Sequence, residues 1–221
     1  MFTRLILAPF LISLTATPLL ADGNLDPAAP ARPGAVALYL SAHTLHTLGQ
    51  TAKDPLMVLT AARILRGLSV TAANRSPDPA PPDPASKDPP PLTFLDAQSL
   101  LTMATTLDAG HNHTDLIEAV TREIPPAPKA LRASASTLAP GGSEVWTLAF
   151  FGGTYGELAI IGHANGNLDL LVSDDKGITI CQDNGSGDTA ICGFTPAQNG
   201  SFTVTVTNPG PTPDGYILLT N

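Results

Sequence analysis

Histidine side chains are the residues of this sequence whose types and spacing first suggest chemistry. His43 and His46 lie three residues apart in a segment with helical periodicity, and His111 and His113 flank the start of another such segment. Because imidazoles at positions i and i+3 of a helix converge on one side, these four residues are a candidate transition-metal site. The alternative is that they cap helices or lie on exposed helical faces, since no H-E-x-x-H sequence occurs.

A second candidate site consists of aspartates in the last third of the chain, which carry the oxygen ligands that calcium prefers. They are Asp169, Asp174, Asp175, Asp183 and Asp188. Calcium is therefore the cofactor that the sequence suggests, if it has one. The spacing fits no EF-hand loop, and aspartate is also common in hairpin turns for conformational reasons.

Catalytic motifs of other kinds are missing from the sequence. It contains no G-x-S-x-G elbow, and the glycine-rich residues 185–187 are not followed by a helix as a phosphate loop would be. Tyr155, in a glycine-rich turn, is a candidate contact for a glycan or a peptide, whereas Trp146 shares an apolar face with Leu148 and is expected in the core. The sequence favours a non-catalytic binding or accessory protein. The alternative is a small secreted metal-dependent enzyme with its site in the helical region.

The first residues predict export. Arg4 precedes an apolar run over residues 5–14, and Ala21 followed by Asp22 is a plausible processing site, an order typical of a secretory signal peptide over residues 1–21. The run is shorter than the roughly 20 apolar residues of a membrane span. We therefore expect no membrane span after processing, and a periplasmic or extracellular location.

Acidic residues outnumber basic ones, 19 to 11, which gives a formal net charge of -8. Nucleic-acid binding requires clustered Lys and Arg, and residues 138–221 contain a single basic residue, Lys176. This composition argues against a nucleic-acid partner and leaves an unidentified protein or polysaccharide as the expected ligand.

Cys181 and Cys192 are the two cysteines of the chain, and an oxidising compartment would favour a disulfide between them. Residues 178–181 and 190–194 are expected to form adjacent strands. The disulfide would then hold the register of a hairpin with a glycine-rich loop.

Helical periodicity predicts two helical hairpins in residues 35–124. Apolar residues recur every three or four positions from Val36, Gly49 is expected to end the first helix, and Asp54 followed by proline predicts the start of the second. A T-x-x-D sequence at residues 93–96 predicts the start of the third helix, and the fourth is expected over residues 114–124.

Proline-rich segments divide the chain. Residues 22–34 are expected to be a flexible leader, residues 76–91 an extended loop and residues 125–137 a linker. Beyond residue 138 the apolar period changes from about 3.6 to 2, as in residues 145–150 and 202–207, with turn residues between the segments. Short strands at this spacing predict a β-sandwich over residues 138–221.

Part of this region resembles the bacterial pre-peptidase C-terminal domain family. The sequence N-L-D-L-L-V-S-D at residues 167–174, followed by Gly177, looks like the D-L-D-L strand and turn of that family, and residues 195–208 and 216–219 are similar to its last strands. The resemblance implies an antiparallel, jelly-roll-like sandwich that serves secretion, solubility or substrate attachment and is not itself catalytic. The expected fold class is thus α+β and multidomain, with a helical region followed by this sandwich.

Overall fold

A computed structural model describes residues 23–29, 33–78, 92–163 and 166–221. The predicted signal peptide, residues 30–32 of the leader and residues 79–91 of the proline-rich loop lie outside these ranges. Within the described ranges, no helix is long and apolar enough to cross a membrane.

All four predicted helices form. They are α1 (Ala35–Ala52), α2 (Pro55–Leu65), α3 (Ala97–Leu107) and α4 (Thr114–Arg122). Asp54 caps α2 as predicted, because its carboxylate accepts the backbone N–H groups of Leu56 and Met57 at 2.8 and 3.2 Å. The cap of α3 is Asp96, whose carboxylate accepts the N–H of Ser99 at 2.9 Å, so the expected start at Thr93 was three residues early.

Gly49 does not end α1, which continues to Ala52. Its role is close packing, since a Cβ atom at this position would lie 2.7 Å from the Cγ2 atom of Val58 on α2. The helix ends instead at Lys53, which adopts the left-handed conformation with φ 54°. Gly49 therefore lets the backbones of α1 and α2 approach each other.

The described residues contain nine strands, numbered here in chain order. They are β1 (Leu68–Ala72), β2 (Lys129–Leu138), β3 (Ser143–Phe150), β4 (Gly156–Ile161), β5 (Asp169–Ser173), β6 (Thr179–Asp183), β7 (Thr189–Phe194), β8 (Gly200–Thr207) and β9 (Asp214–Thr220). Sheet A has the order β1-β2-β9-β4-β7, and sheet B has the order β3-β8-β5-β6. Strands β2 to β9 thus form two antiparallel sheets in the order of a jelly roll, in which all successive strands except the paired β5 and β6 lie in different sheets. This order confirms the predicted sandwich.

Sheet A is the middle layer of the molecule. Its one face packs on sheet B around Trp146 and Phe202, which are buried as the alternating pattern predicted. Its other face carries Leu131 and Leu219, which pack against helix residues such as Tyr39. Strands β4 and β9 are consequently buried along their whole length. The helices and the jelly roll therefore share a sheet and form three continuous layers.

The expected linker over residues 125–137 is corrected by this packing. Residues 129–138 form β2, which pairs in parallel with β1 from Leu68 to Ala72 and antiparallel with β9. Through this pairing, β2 places β1 at the edge of the jelly roll. Strand β1 comes from the region in which only helices and a proline-rich loop were expected.

The disulfide between Cys181 and Cys192 forms, with the two Cα atoms 6.2 Å apart. The expected hairpin does not form, because Cys181 lies on β6 of sheet B and Cys192 lies on β7 of sheet A. The disulfide therefore joins the edge strands of two sheets. At the opposite edge, the backbone after β1 crosses from sheet A to sheet B. The backbone N–H of Ala73 donates to the carbonyl of Ala133 on β2, and the N–H of Asp78 donates to the carbonyl of Val145 on β3.

The leader residues before α1 dock on the jelly roll. The backbone N–H of Asn24 donates to the buried Asp174 carboxylate at 2.9 Å, and the Asn24 side chain exchanges two hydrogen bonds with the backbone of Gln198. The backbone N–H of Asp26 donates to the carbonyl of Thr195, and the Leu25 side chain packs against the core between the sheets. This part of the expected flexible leader is thus fixed in place.

Candidate functional site

Glu157 on β4 fixes the position of the helical layer. Its buried carboxylate accepts the backbone N–H groups of Gly34, Val36 and Ala37 at 2.7, 3.0 and 3.4 Å. These groups form the amino end of α1, where unpaired N–H groups and the helix dipole favour a negative charge. A side chain of the jelly roll therefore caps the first helix.

Helix α4 is the least buried element of the helical layer. Ile117 is its one buried residue, whereas Leu116 is 52% exposed and Ile124, two residues after the helix, is 91% exposed. The fourth helix was predicted over residues 114–124 and ends at Arg122, and its residues Leu116 and Ala119 are exposed.

Polar contacts hold both ends of α4. Before the helix, the buried Asp108 carboxylate accepts the N–H groups of Asn112 and His113 at 3.1 and 3.0 Å. After it, Glu123 pairs with Arg63 of α2 through two contacts of 2.8 and 2.9 Å. This pairing holds the pKa of Glu123 below its ordinary value. The ends of α4 are thus fixed while its flanks stay open.

Two grooves of about 520 Å³ each run along the flanks of α4. The α2–α4 groove has an apolar floor that includes Leu56, Leu59, Leu116 and Val120. The α3–α4 groove is lined by His111, Ile117, Glu118 and Arg122 among others. We call these two grooves with the exposed face of α4 the α4 surface.

His111 occupies an unusual backbone conformation at the α3–α4 groove. Its φ of 53° lies in the left-handed region, which costs a residue with a Cβ atom about 1 kcal/mol or more. The loop keeps this conformation because Asp108 binds the two residues that follow. The imidazole thereby lines the groove.

A smaller cavity of about 260 Å³ lies where α1 meets the jelly roll. It is lined by His43, Thr47 and Leu48 of α1 and by Gly162 and Asp188 of the jelly roll. Burial lowers the pKa of His43, and the nearby Asp188 carboxylate opposes this shift. Burial and then the neighbouring His43 lower the pKa of His46. Both shifts favour the neutral form of the imidazoles.

The structure separates the predicted histidine ligands. His43 lines the cavity beside α1, His111 lines the α3–α4 groove, and His113 is the residue before α4. In the part of the chain that the structure describes, no three His, Cys, Asp or Glu side chains come together in a way that could hold a metal ion.

The predicted calcium ligands are distributed over several turns. Asp174 accepts the N–H groups of Asn24, Lys176 and Ile178, and Asp183 accepts that of Gly185. The carboxylate of Asp188 accepts the Thr189 hydroxyl, Asp175 is exposed, and Asp169 begins β5. The contacts of Asp174 and Asp183 agree with the turn interpretation of these aspartates.

Tyr155 is half-buried rather than freely exposed. A Cβ atom on Gly193 of β7 would clash with its hydroxyl, so the ring lies against the β7 backbone. Burial and the nearby Glu157 raise its pKa. The exposed aromatic residue of this region is Phe151, which is 73% exposed and was not singled out by the sequence analysis.

Comparisons with known proteins find solved structures that are similar to this chain, but no protein family that matches it. No protein-family model and no curated protein matches the chain. Solved structures similar to it include the pre-peptidase C-terminal domain of a collagenase from Bacillus anthracis, with 14% identity, a TM-score of 0.33 and coverage of 40% of this chain and 87% of that one.

Two further similar structures are sugar- and enzyme-binding proteins by name. The periplasmic inhibitor of g-type lysozyme from Aeromonas hydrophila has 12% identity, a TM-score of 0.31 and coverage of 41% of this chain and 84% of that one. The carbohydrate-binding module CBM36, solved with calcium and xylotriose, has 12% identity, a TM-score of 0.26 and coverage of 40% and 86%. At these values the likeness carries no functional conclusion for this chain.

Proposed function

We propose that this chain is an exported, non-catalytic binding protein that contacts a partner protein through the α4 surface. The observation that carries the proposal is the exposed Leu116, which lines the α2–α4 groove, together with the exposed Ile124 two residues after α4. Exposed apolar side chains that rim a groove are typical of a protein-binding surface. In this proposal the jelly roll is the scaffold that holds the helices in place.

The shared sheet supports the scaffold role. Leu131 and Leu219 of sheet A form part of the core beneath the helices, and Glu157 caps α1. Because removal of the jelly roll would expose this core, the helical region is not expected to fold alone. Partner binding must therefore be tested with single substitutions in the intact chain.

Export is the second part of the proposal. An oxidising compartment favours the disulfide between Cys181 and Cys192, and the residues before Gly23 have the order of a secretory signal peptide. We propose the periplasm or the extracellular space of a bacterium. Attachment or solubility, as in the pre-peptidase C-terminal domains that the sequence resembles, is the corresponding role proposed for the jelly roll.

Site-specific photo-crosslinking in the producing cell tests the binding surface. A photoreactive phenylalanine analogue replaces Leu116 on α4, and in a matched control it replaces Ile191, which is 45% exposed on β7. We expect a discrete adduct of defined mass from position 116 and none from position 191. Substitution of Leu56 by Glu should abolish the adduct, because a charge would then occupy the α2–α4 groove.

Two results would refute the proposal. One is the absence of an adduct at position 116 in protein that is secreted and folded. The other is the same set of adducts from positions 116 and 191, which would show non-specific contacts.

A further inference from the structure

Two arginines at the β1–β2 edge of sheet A have no carboxylate partner among the residues that the structure describes. Arg75 follows β1 and is half-buried, and Arg132 lies exposed on β2. Among the described residues, no carboxylate lies within ion-pair distance of either guanidinium. In a chain with 19 acidic and 11 basic residues, two neighbouring cations without a counter-charge are unexpected.

Neutral groups hold the Arg75 side chain in place. Its Nε donates to the Ser134 hydroxyl at 2.9 Å, its Nη1 donates to the Thr220 hydroxyl at 3.2 Å, and its Nη2 donates to the carbonyl oxygen of Arg132 at 3.4 Å. Ser134 and Thr220 are both buried. These contacts fix the orientation of the guanidinium, and none of them is made by a carboxylate.

Arg132 lies beside this fixed group. Its Nη1 donates to the Thr71 hydroxyl at 3.3 Å. The Thr71 hydroxyl in turn donates to the Leu131 carbonyl at 3.3 Å. Burial, and to a smaller extent the nearby charge of Arg132, lower the pKa of Arg75, as expected for two neighbouring like charges. An anion between them would remove this repulsion.

We propose that Arg75 and Arg132 form a binding site for a small oxyanion, that is, a phosphate, a sulfate or a carboxylate group. A guanidinium has five N–H donors, and Arg75 uses three, so that Nη1 and Nη2 each keep one N–H for a ligand. Arg132 keeps further donors. Such planar forks match the oxygens of phosphate and carboxylate groups. This site lies outside the α4 surface and adds a second binding function.

The site is tested by NMR on the processed full-length protein at constant ionic strength. The probes are sodium phosphate, sodium sulfate and sodium glucuronate, and the signals are the side-chain Nε–H groups of Arg75 and Arg132. We expect saturable shifts of both signals. A lower dissociation constant for phosphate or sulfate assigns the site to tetrahedral anions, and a lower one for glucuronate assigns it to carboxylates.

Charge-matched variants separate the site from general electrostatics. Arg132→Gln should weaken the binding about tenfold or more, since hydrogen bonds to charged groups contribute that much to affinity. Lys129→Gln removes the same charge from an exposed position on the same strand and should leave the affinity unchanged. Arg75→Lys keeps the charge, loses the fork and should weaken binding similarly.

Either of two outcomes would overturn the proposal. Signals that do not saturate in the folded wild-type protein would show that no site exists. Equal weakening by Arg132→Gln and Lys129→Gln would show that the anions respond to surface charge alone. Both outcomes would leave the proposed role of α4 intact, because that surface lies on other elements.

Discussion

The Glu157 carboxylate gives a direct way to measure how firmly the helices are fixed to the jelly roll. Glu157 is 1% exposed, and its carboxylate accepts hydrogen bonds from three backbone N–H groups at the start of α1. The helix has no cap of its own, because Gly34 at its N-cap position has no side chain and its first turn contains no acidic residue. The perturbation is Glu157→Ala, with Glu157→Gln as the conservative variant.

The expected cost follows from these contacts. Loss of a helix cap costs about 1 kcal/mol, and buried N–H groups without an acceptor cost about 1–3 kcal/mol each. Three such groups lose their acceptor here, although Gly34 and Ala37 are partly accessible to water. We expect Glu157→Ala to lower the free energy of unfolding by about 3–4 kcal/mol, and Glu157→Gln by about 1–2 kcal/mol because the amide oxygen still accepts.

Urea denaturation of the processed protein, followed by circular dichroism, measures both values. Glu118→Ala is the matched control, because Glu118 forms an exposed pair with Arg122 on α4. That change should cost less than about 1 kcal/mol. If Glu157→Ala costs no more than Glu118→Ala, the helical layer is not held by this contact and the account of its position is wrong.

Three further changes test the fold and its pH dependence. Replacing Cys181 and Cys192 together by Ser should lower the free energy of unfolding by about 3 kcal/mol in urea titrations, and no change would mean that the sheet edges need no covalent link. Gly49→Ala should cost about 1–3 kcal/mol in the same assay, because its Cβ atom would meet α2 at 2.7 Å. Burial would raise the pKa of Asp174, but hydrogen bonds from backbone N–H groups lower this pKa below its ordinary value. The ionised Asp174 therefore stabilises the fold at pH values above its unfolded pKa. This stabilisation is lost as the pH falls through the folded pKa. Asp174→Asn should therefore destabilise the protein at pH 7 and progressively less below about pH 4 in unfolding titrations across this range. A cost that is the same at pH 7 and at pH 3 would contradict this assignment.

The sequence predicts those elements whose residues alternate clearly. The period of two in residues 145–150 and 202–207 arises because each strand has one face toward the core and one toward water. Strand β2 gives a weaker signal, since its inward residues include the small Ala133. Strand β4 gives no alternation because helices cover its second face. Its burial on both sides could be inferred only after the helices were placed on sheet A.

The pairing of the two cysteines could be predicted, but its structural meaning could not. Proximity in sequence suggested a hairpin, whereas a jelly roll places successive strands β6 and β7 in different sheets. The site shows the same limit. The predicted fourth helix, residues 114–124, included Leu116 and Ile124, and only packing shows that both side chains are exposed. The closeness of Arg75 and Arg132 likewise becomes visible only when strand β1 pairs with β2.

Differential scanning calorimetry of the processed protein tests most directly whether the helices and the jelly roll form one unit. Because both cores share sheet A and β1 pairs with β2, we expect one transition whose calorimetric and van't Hoff enthalpies agree. Glu157→Ala should shift this single transition to lower temperature as a whole. Two separate transitions, with only one of them shifted by the substitution, would show that the helices and the jelly roll fold independently and would contradict the account.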